Sequence, residues 1–382
     1  GPGQYRFANR RTDPVNRASY IPSTDFYVVL PFEDPQIHRE LDFRARLGRA
    51  DIYFLVDTTG SMLAAINNVR TSLSTVIVPA VRDAIADVVM GVGDYQDFPI
   101  DPYGAVGDHA ILVRQTMTAD VPAVQTALNA LALGNGADIP EATTEGLFVS
   151  VNNPCTEPDG WFGEACFRTM SHPIVVLVTD AVFHNGPSAT NDYVGVPGAH
   201  TWTETVAALN ANDVNVVGAA VGGIMFGLLT IPSEATPDLN ALATATSSRD
   251  SAGALTVYQT FDGNVSTAVV NGIVDLVGAT TQDVSSTTRD DPSDGTDATM
   301  FITAVTPLRS SRPTTFDATT FYDVPGGTTI TFDVTFQNDF LPPTTVVQIF
   351  RAYIDVNEVT TMTVLDTRNV YIVVPPEGGI LF

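Results

Sequence analysis

The sequence predicts an α/β fold in which a doubly wound, mostly parallel sheet is inserted into a β-sandwich. Two apolar runs without alternation, Ile52-Tyr53-Phe54-Leu55-Val56 and Ile174-Val175-Val176-Leu177-Val178, read as strands buried on both faces. Each run leads into a carboxylate, Asp57 directly and Asp180 after Thr179, at the strand end where an open α/β sheet places its ligands. Outside this middle region the pattern changes. Thr329-Ile330-Thr331-Phe332-Asp333-Val334-Thr335-Phe336 alternates with period two, as a strand with one wet face does.

In chain order, Phe26-Tyr27-Val28-Val29-Leu30 and Leu41-Asp42-Phe43-Arg44-Ala45-Arg46-Leu47 read as strands. After the Asp57 strand come a helix over 63–86, strands over 88–95 and 110–116, and helices over 121–132 and 142–151. The Asp180 strand is followed by a helix over 201–211, a strand over 214–220, a helix over 237–246, a strand over 255–261 and an apolar helix over 265–277. Beyond the spacer Asp290-Asp291-Pro292-Ser293-Asp294, strands are expected over 299–305, 328–336, 346–354, 360–365 and 370–374. The front flank has too few strands to close a core. Joined to the rear flank it completes one sandwich, and separate front and rear modules are the alternative. The expected division is 49–282 for the α/β domain, 18–48 with 283–376 for the sandwich, and 377–382 for a tail. Residues 1–17 read as an extension opening on Gly1-Pro2-Gly3, which looks like a protease-cleavage scar.

The chemistry concentrates at Asp57-Thr58-Thr59-Gly60-Ser61. Alternation in an extended loop aims Asp57, Thr59 and Ser61 at one point, while Gly60 permits a tight turn. All three offer oxygen, which Mg2+ or Ca2+ prefers, and none offers the nitrogen or sulfur that Zn2+ usually takes. An Asp capping the helix that begins near Met62 is the plainer reading. Two further acids tip the balance toward a metal. Asp180 ends a neighbouring strand, and Glu141 follows the Gly-rich loop Gly134-Asn135-Gly136 in Asp138-Ile139-Pro140-Glu141. Three carboxylates around two hydroxyls repel one another unless a cation lies between them.

These residues resemble the von Willebrand factor A domain with its metal-ion-dependent adhesion site, and most of all the integrin β-subunit I-like domain. The group's D-x-[ST]-x-S pattern with a further Thr or Glu and an Asp is matched by Asp57, Thr59, Ser61, Glu141 and Asp180. Asp51-Ile52-Tyr53-Phe54-Leu55-Val56-Asp57 looks like the integrin D-I-Y-Y-L-M-D. Asp138-x-Pro140-Glu141 looks like D-x-P-E, Thr179-Asp180-Ala181-x-Phe183-His184 looks like T-D-x-x-F-H, and Gly160-Trp161 also has a counterpart. The resemblance implies Mg2+ or Mn2+ at this primary site and an open coordination position for a carboxylate of a protein or other partner. It further implies an adjacent Ca2+ site built from Asp97, Asn135, Asp138, the Pro140 carbonyl and Glu141, with Asn135 offset by one residue from the family pattern. The flanks match the integrin hybrid domain in pattern more than in residues.

Two departures separate this chain from integrins. Met62 is followed by Leu63-Ala64-Ala65 where the third integrin metal site has a basic residue and two Asp. The segment 98–109 is short and lacks Cys, which speaks against an integrin-type α-subunit partner. The missing third site, together with the absence of Lys from the chain, makes a bacterial relative the expectation. A structural module braced by metal and a metal-dependent hydrolase with His184 as its base are the alternatives. The primary expectation is adhesion, not enzymatic turnover.

Composition narrows the partners. At 382 residues, 44% hydrophobic and 16% charged, the chain is globular and long enough for two or three domains. A net charge of −25 repels nucleic acid and anionic membranes. All 18 basic residues are Arg, so a Lys-dependent phosphate loop or Schiff base is excluded. Cys155 and Cys166 are the only cysteines. A disulfide between them would contribute about 3 kcal/mol in an oxidising, extracellular or cell-surface setting, two free thiols being the alternative. No apolar stretch reaches membrane-spanning length, and no signal peptide is visible.

Overall fold

A computed structural model describes residues 25–155, 160–225, 229–261 and 263–378. The expected scar at 1–17 and the last residues of the expected tail, 379–382, lie outside the described residues, as do 156–159 inside the cysteine loop.

The chain opens with strands β1 (Phe26–Val29) and β2 (Ile37–Arg44). Strand β3 (Leu47–Asp57) enters the α/β region and leads to α1 (Leu63–Ser72), a π turn (Leu73–Ile77) and α2 (Val78–Ala84). Next come β4 (Ile85–Tyr95), β5 (Leu112–Thr118), α3 (Val121–Asn129), α4 (Thr143–Asn152), β6 (His172–Thr179) and α5 (Trp202–Ala211). Strands β7 (Asn215–Met225) and β8 (Leu229–Ile231), helix α6 (Thr236–Ala245), β9 (Val257–Phe261) and α7 (Val265–Ala279) complete this region. Strands β10 (Thr281–Asp290), β11 (Ile302–Ser310), β12 (Thr315–Phe316), β13 (Thr320–Pro325), β14 (Thr329–Phe336), β15 (Gln348–Glu358) and β16 (Val364–Val374) follow.

The central sheet runs β5-β4-β3-β6-β7-β8, with β9 also paired to β7. Strands β4, β3, β6, β7 and β9 are parallel to their neighbours, whereas β5 and β8 run antiparallel at the margins. Alternating side chains explain why the Ile52–Val56 run of β3 is apolar throughout. Ile52, Phe54 and Val56 pack with α1, α3 and α7 on one face. Tyr53 and Leu55 pack with α4, α5 and α6 on the other. Each large side chain so buried contributes about 2–3 kcal/mol, and a charge placed at Phe54 would disrupt the sheet.

Two further sheets come from the flanks, one ordered β1-β16-β15-β10-β13-β12 and one β11-β14-β2. A single apolar cluster draws on both, with Leu41 and Phe43 of β2 and Phe332 and Phe336 of β14 joining Ile354 of β15 and Ile372 of β16.

Several boundaries differ from expectation. The expected helix 63–86 is broken by the π turn, with Pro79 opening α2, and ends at Ala84 because Ile85 already pairs with Leu47. The two expected strands 360–365 and 370–374 are one continuous strand, β16, held along its length by β15. Strand β10 was not expected because its sequence is Thr- and Ser-rich, yet it pairs with both β13 and β15. The supposedly wet face of β14 is mostly covered. Thr331 donates to Asp42 Oδ1 at 2.7 Å, and His38 lies 2.8 Å from Asp333 Oδ2, so the polar side chains of β2 shield it.

Candidate metal centre

Asp57 terminates β3 with no exposed surface, beside Thr179 at the end of β6. Its Oδ1 accepts from the Thr59 amide at 2.9 Å and the Thr59 hydroxyl at 2.7 Å, and its Oδ2 accepts from Thr179 Oγ1 at 2.8 Å. The helix-capping alternative is not realised, because no side chain caps the start of α1 and Asp57 is committed to its own loop. Ser61, in the 3-10 turn Gly60–Met62, lies 3.5 Å from Thr59 Oγ1 and lines the same cleft as Asp180. Thr59 Oγ1 thus stands between the other two residues of the alternating set, 2.7 Å from Asp57 Oδ1 and 3.5 Å from Ser61 Oγ.

Glu141 sits in the loop before α4, pinned by backbone bonds from its N–H to Val182 O and from the His184 N–H to its own carbonyl, both 2.9 Å. This bridge to the loop after β6 carries Glu141 across to Asp180. Among the described residues its Oε2 finds no hydrogen-bond partner although it is buried. Burial, then the charges of Asp57, Asp97, Asp138 and Asp180, push the Glu141 carboxyl up to about 11. Burial and Asp180 push Asp57 up to about 6. Carboxylates that resist ionisation together are what a cation between them would relieve. Gly136 has φ of +61°, and a Cβ there would stand 3.2 Å from Glu141 Oε1, so this position keeps the loop close to the acid.

A cleft of about 410 Å³ opens above these groups. Thr59, Ser61, Asn135, Asp138, Glu141 and Asp180 line it, and Pro232, Ser233 and Glu234 form its far wall. Asp57 and Asp97 are fully buried.

The adjacent site is assembled differently from expectation. Asp97 and Asp138 do come together, but His184 joins them, with one ligand atom from each of the three within 4.8 Å of one another. His184 Nε2 stands 3.2 Å from Asp97 Oδ2 and 3.3 Å from Asp138 Oδ2, and Nδ1 stands 2.7 Å from the Asn191 carbonyl. Asp97 Oδ1 accepts from the Phe98 amide at 2.6 Å and from Tyr193 Oη. Burial opposes charge on His184, but Asp97, the Asn191 carbonyl and Asp138 outweigh it and hold the ring above its ordinary value. Asn135 is exposed at the rim of the cleft, where its backbone N–H is held by Asp108 Oδ1 at 3.1 Å. Pro140 is half-buried in the same loop as Glu141.

Sequence reasoning missed Asp108, Thr179 and Tyr193. Asp108 accepts from the backbone of Ala105, Asn135 and Gly136 and so shapes the Gly-rich loop. Tyr193 approaches from a loop 96 residues away, with its ring stacked 4.1 Å from that of His184. The expected disulfide is present between Cys155 and Cys166, although part of the loop it closes lies outside the described residues. No helix among the described residues is long and apolar enough to cross a membrane.

No family model matches the chain, and no curated protein does. Solved structures are similar in outline. A von Willebrand factor type A protein from Catenulispora acidiphila is 12% identical with a TM-score of 0.38, covering 93% of this chain and 72% of its own. The pilus adhesin SpaC from Lactobacillus rhamnosus GG, in its open conformation, is 11% identical with a TM-score of 0.42, over 89% of this chain and 45% of that one. Proximal thread matrix protein 1 from the mussel byssus is 15% identical with a TM-score of 0.39, over 65% of this chain and 51% of that one. This chain thus spans about half the length of the latter two. With TM-scores below 0.5, the likeness decides nothing about the site, whose chemistry rests on its own geometry.

Proposed function

We propose that this protein is a divalent-cation-dependent adhesion or ligand-binding protein of the von Willebrand A kind, its α/β domain inserted into a β-sandwich built from both flanks. One observation carries the reading. Thr59, Ser61, Glu141 and Asp180 line one open cleft, the buried Asp57 carboxylate is hydrogen-bonded to the Thr59 hydroxyl beneath it, and a buried Glu141 oxygen has no hydrogen-bond partner among the described residues.

In this reading Asp57, Thr59 and Ser61 hold Mg2+ or Mn2+, with Glu141 and Asp180 contributing directly or through water. Hydroxyl ligands leave the ion electrophilic, so that it captures a carboxylate from a partner entering the cleft. Binding is favoured over catalysis because His184, the imidazole nearest the site, is 2% exposed and does not line the cleft. The disulfide supports an extracellular or surface location. The partner is an acidic group of a protein or other ligand, with no integrin-type α subunit.

The test is Mg2+ titration by calorimetry, paired with adhesion to a surface bearing Asp-containing peptides, with and without EDTA. Wild-type protein binds Mg2+ and adheres only without EDTA, whereas Asp57→Ala does neither. EDTA-sensitive adhesion retained by Asp57→Ala would overturn the reading.

A further inference from the structure

We propose that the pocket formed by Asp97, Asp138 and His184 takes a transition dication of the Zn2+ or Co2+ class, with His184 Nε2 as a direct ligand, and not the all-oxygen Ca2+ site that the sequence implies. The proposal goes beyond the metal-dependent reading above and does not require a cation at the primary site.

The tautomer comes first. A backbone carbonyl can only accept, so the 2.7 Å contact with Asn191 O places a hydrogen on Nδ1. In the neutral ring the lone pair then lies on Nε2, which faces Asp97 Oδ2 at 3.2 Å and Asp138 Oδ2 at 3.3 Å. Two ligands on a tetrahedral Zn2+, each about 2.0–2.1 Å from the metal, are separated by about 3.3 Å. Both Nε2···O spacings match that edge, Asp138 presents its Oδ1 at 3.3 Å as well, and one donor atom from each of the three residues lies within 4.8 Å of the others.

A second observation points to a ligand. Asp97 is fully buried, and among the described residues its Oδ2 has no aligned hydrogen-bond donor. Its other oxygen is occupied by the Phe98 amide and Tyr193 Oη. Each buried member of the set is thus anchored through one atom and offers the other to the same point. Outer partners that orient metal ligands work in this way. Tyr193 stacked on the imidazole at 4.1 Å and Tyr103 edge-on at 5.1 Å fix the ring further.

Donor chemistry then selects the ion. Ca2+ takes six to eight oxygens in a flexible shell, whereas one imidazole with two carboxylates suits borderline transition dications. The competing account is an imidazolium that pins two carboxylates with no metal at all.

The experiment uses full-length protein carrying Asp57→Ala, which disables the primary site without touching this pocket. Zn2+ and Ca2+ are titrated by calorimetry, and Co2+ binding is followed by visible absorption and by proton NMR of the imidazole N–H. The expected result is one tight equivalent of Zn2+, at least 100-fold tighter than Ca2+. Co2+ should give a ligand-field band and a paramagnetically shifted Nδ1–H signal.

Adding His184→Asn, whose side-chain amide can still donate to the Asn191 carbonyl, should weaken that equivalent at least 10-fold and abolish the shifted signal. If this variant does not fold, Asp138→Asn at the exposed ligand should weaken Zn2+ about 10-fold. Ca2+ binding as tightly as Zn2+, no tight Zn2+ equivalent, or a Co2+ spectrum unchanged by His184→Asn would each overturn the proposal. Those outcomes leave the primary site standing, because that reading is judged separately, by Mg2+ binding and EDTA-sensitive adhesion in wild type against Asp57→Ala.

Discussion

Thr179 Oγ1 donates a 2.8 Å hydrogen bond to Asp57 Oδ2, tying the carboxyl ends of β6 and β3 together beneath the cleft. Thr59 holds the other carboxylate oxygen through both its amide and its hydroxyl. The plane of the Asp57 carboxylate is therefore set by its own loop and a neighbouring strand before an ion arrives. Orientation of this kind separates a metal ligand from a merely acidic strand end.

Thr179→Val keeps the side chain's shape and removes the donor. Mg2+ affinity measured by calorimetry is expected to fall about 10-fold, with a stability loss of about 1 kcal/mol. Unchanged affinity would show that Thr59 alone orients Asp57.

Metal removal should be visible in stability. The Glu141 carboxyl, pushed up to about 11, remains protonated near neutrality when no cation is present. Glu141→Gln imitates that neutral acid. Its melting temperature in EDTA should therefore stay close to wild type, whereas the gain on adding Mg2+ should shrink. For wild type, Mg2+ at 100 times its Kd is worth about 2.7 kcal/mol, a rise of roughly 5–10 °C for a domain of this size. A full Mg2+ gain in Glu141→Gln by differential scanning fluorimetry would remove Glu141 from the site.

Asp57 and Asp180 were legible in the sequence for a physical reason. A parallel strand buried on both faces leaves no alternation, and the carboxylate that follows each apolar run, Ile52–Val56 or Ile174–Val178, marks where the sheet ends. Glu141 needed its Gly-rich loop as context. Thr179, Asp108 and Tyr193 were not legible, since each acts through a contact made by folding; Tyr193 meets Asp97 across 96 residues. Strand β10 escaped for a related reason. Only Val284 in it is fully buried, and its state is fixed by backbone pairing on both sides, which local composition does not reveal. The helix expected to run through 63–86 carried no Gly, and its two Asn, Asn67 and Asn68, sit in its first turns, so nothing local stopped it near Ala84 and the switch to β4 at Ile85 was decided by pairing with Leu47.

Asp94, the buried acid of β4, gives a pH dependence of known sign. It has no exposed surface and meets Arg114 Nη2 at 3.0 Å, His109 Nε2 at 3.0 Å and Thr58 Oγ1 at 3.2 Å. Burial pushes its carboxyl up, but His109 and Arg114 outweigh that and hold it below the ordinary carboxylate value. A carboxyl depressed on folding stabilises above its unfolded value of about 3.9 and loses that contribution as pH falls below it. Asp94→Asn should therefore cost about 2 kcal/mol at pH 7, less than a fully buried pair because Arg114 keeps 23% of its side chain in solvent. Urea midpoints for the two proteins should run parallel from about pH 7 to pH 5 and converge below about pH 4. A gap that stays constant down to about pH 3 would mean that Asp94 stabilises by shape and hydrogen bonding, without its charge.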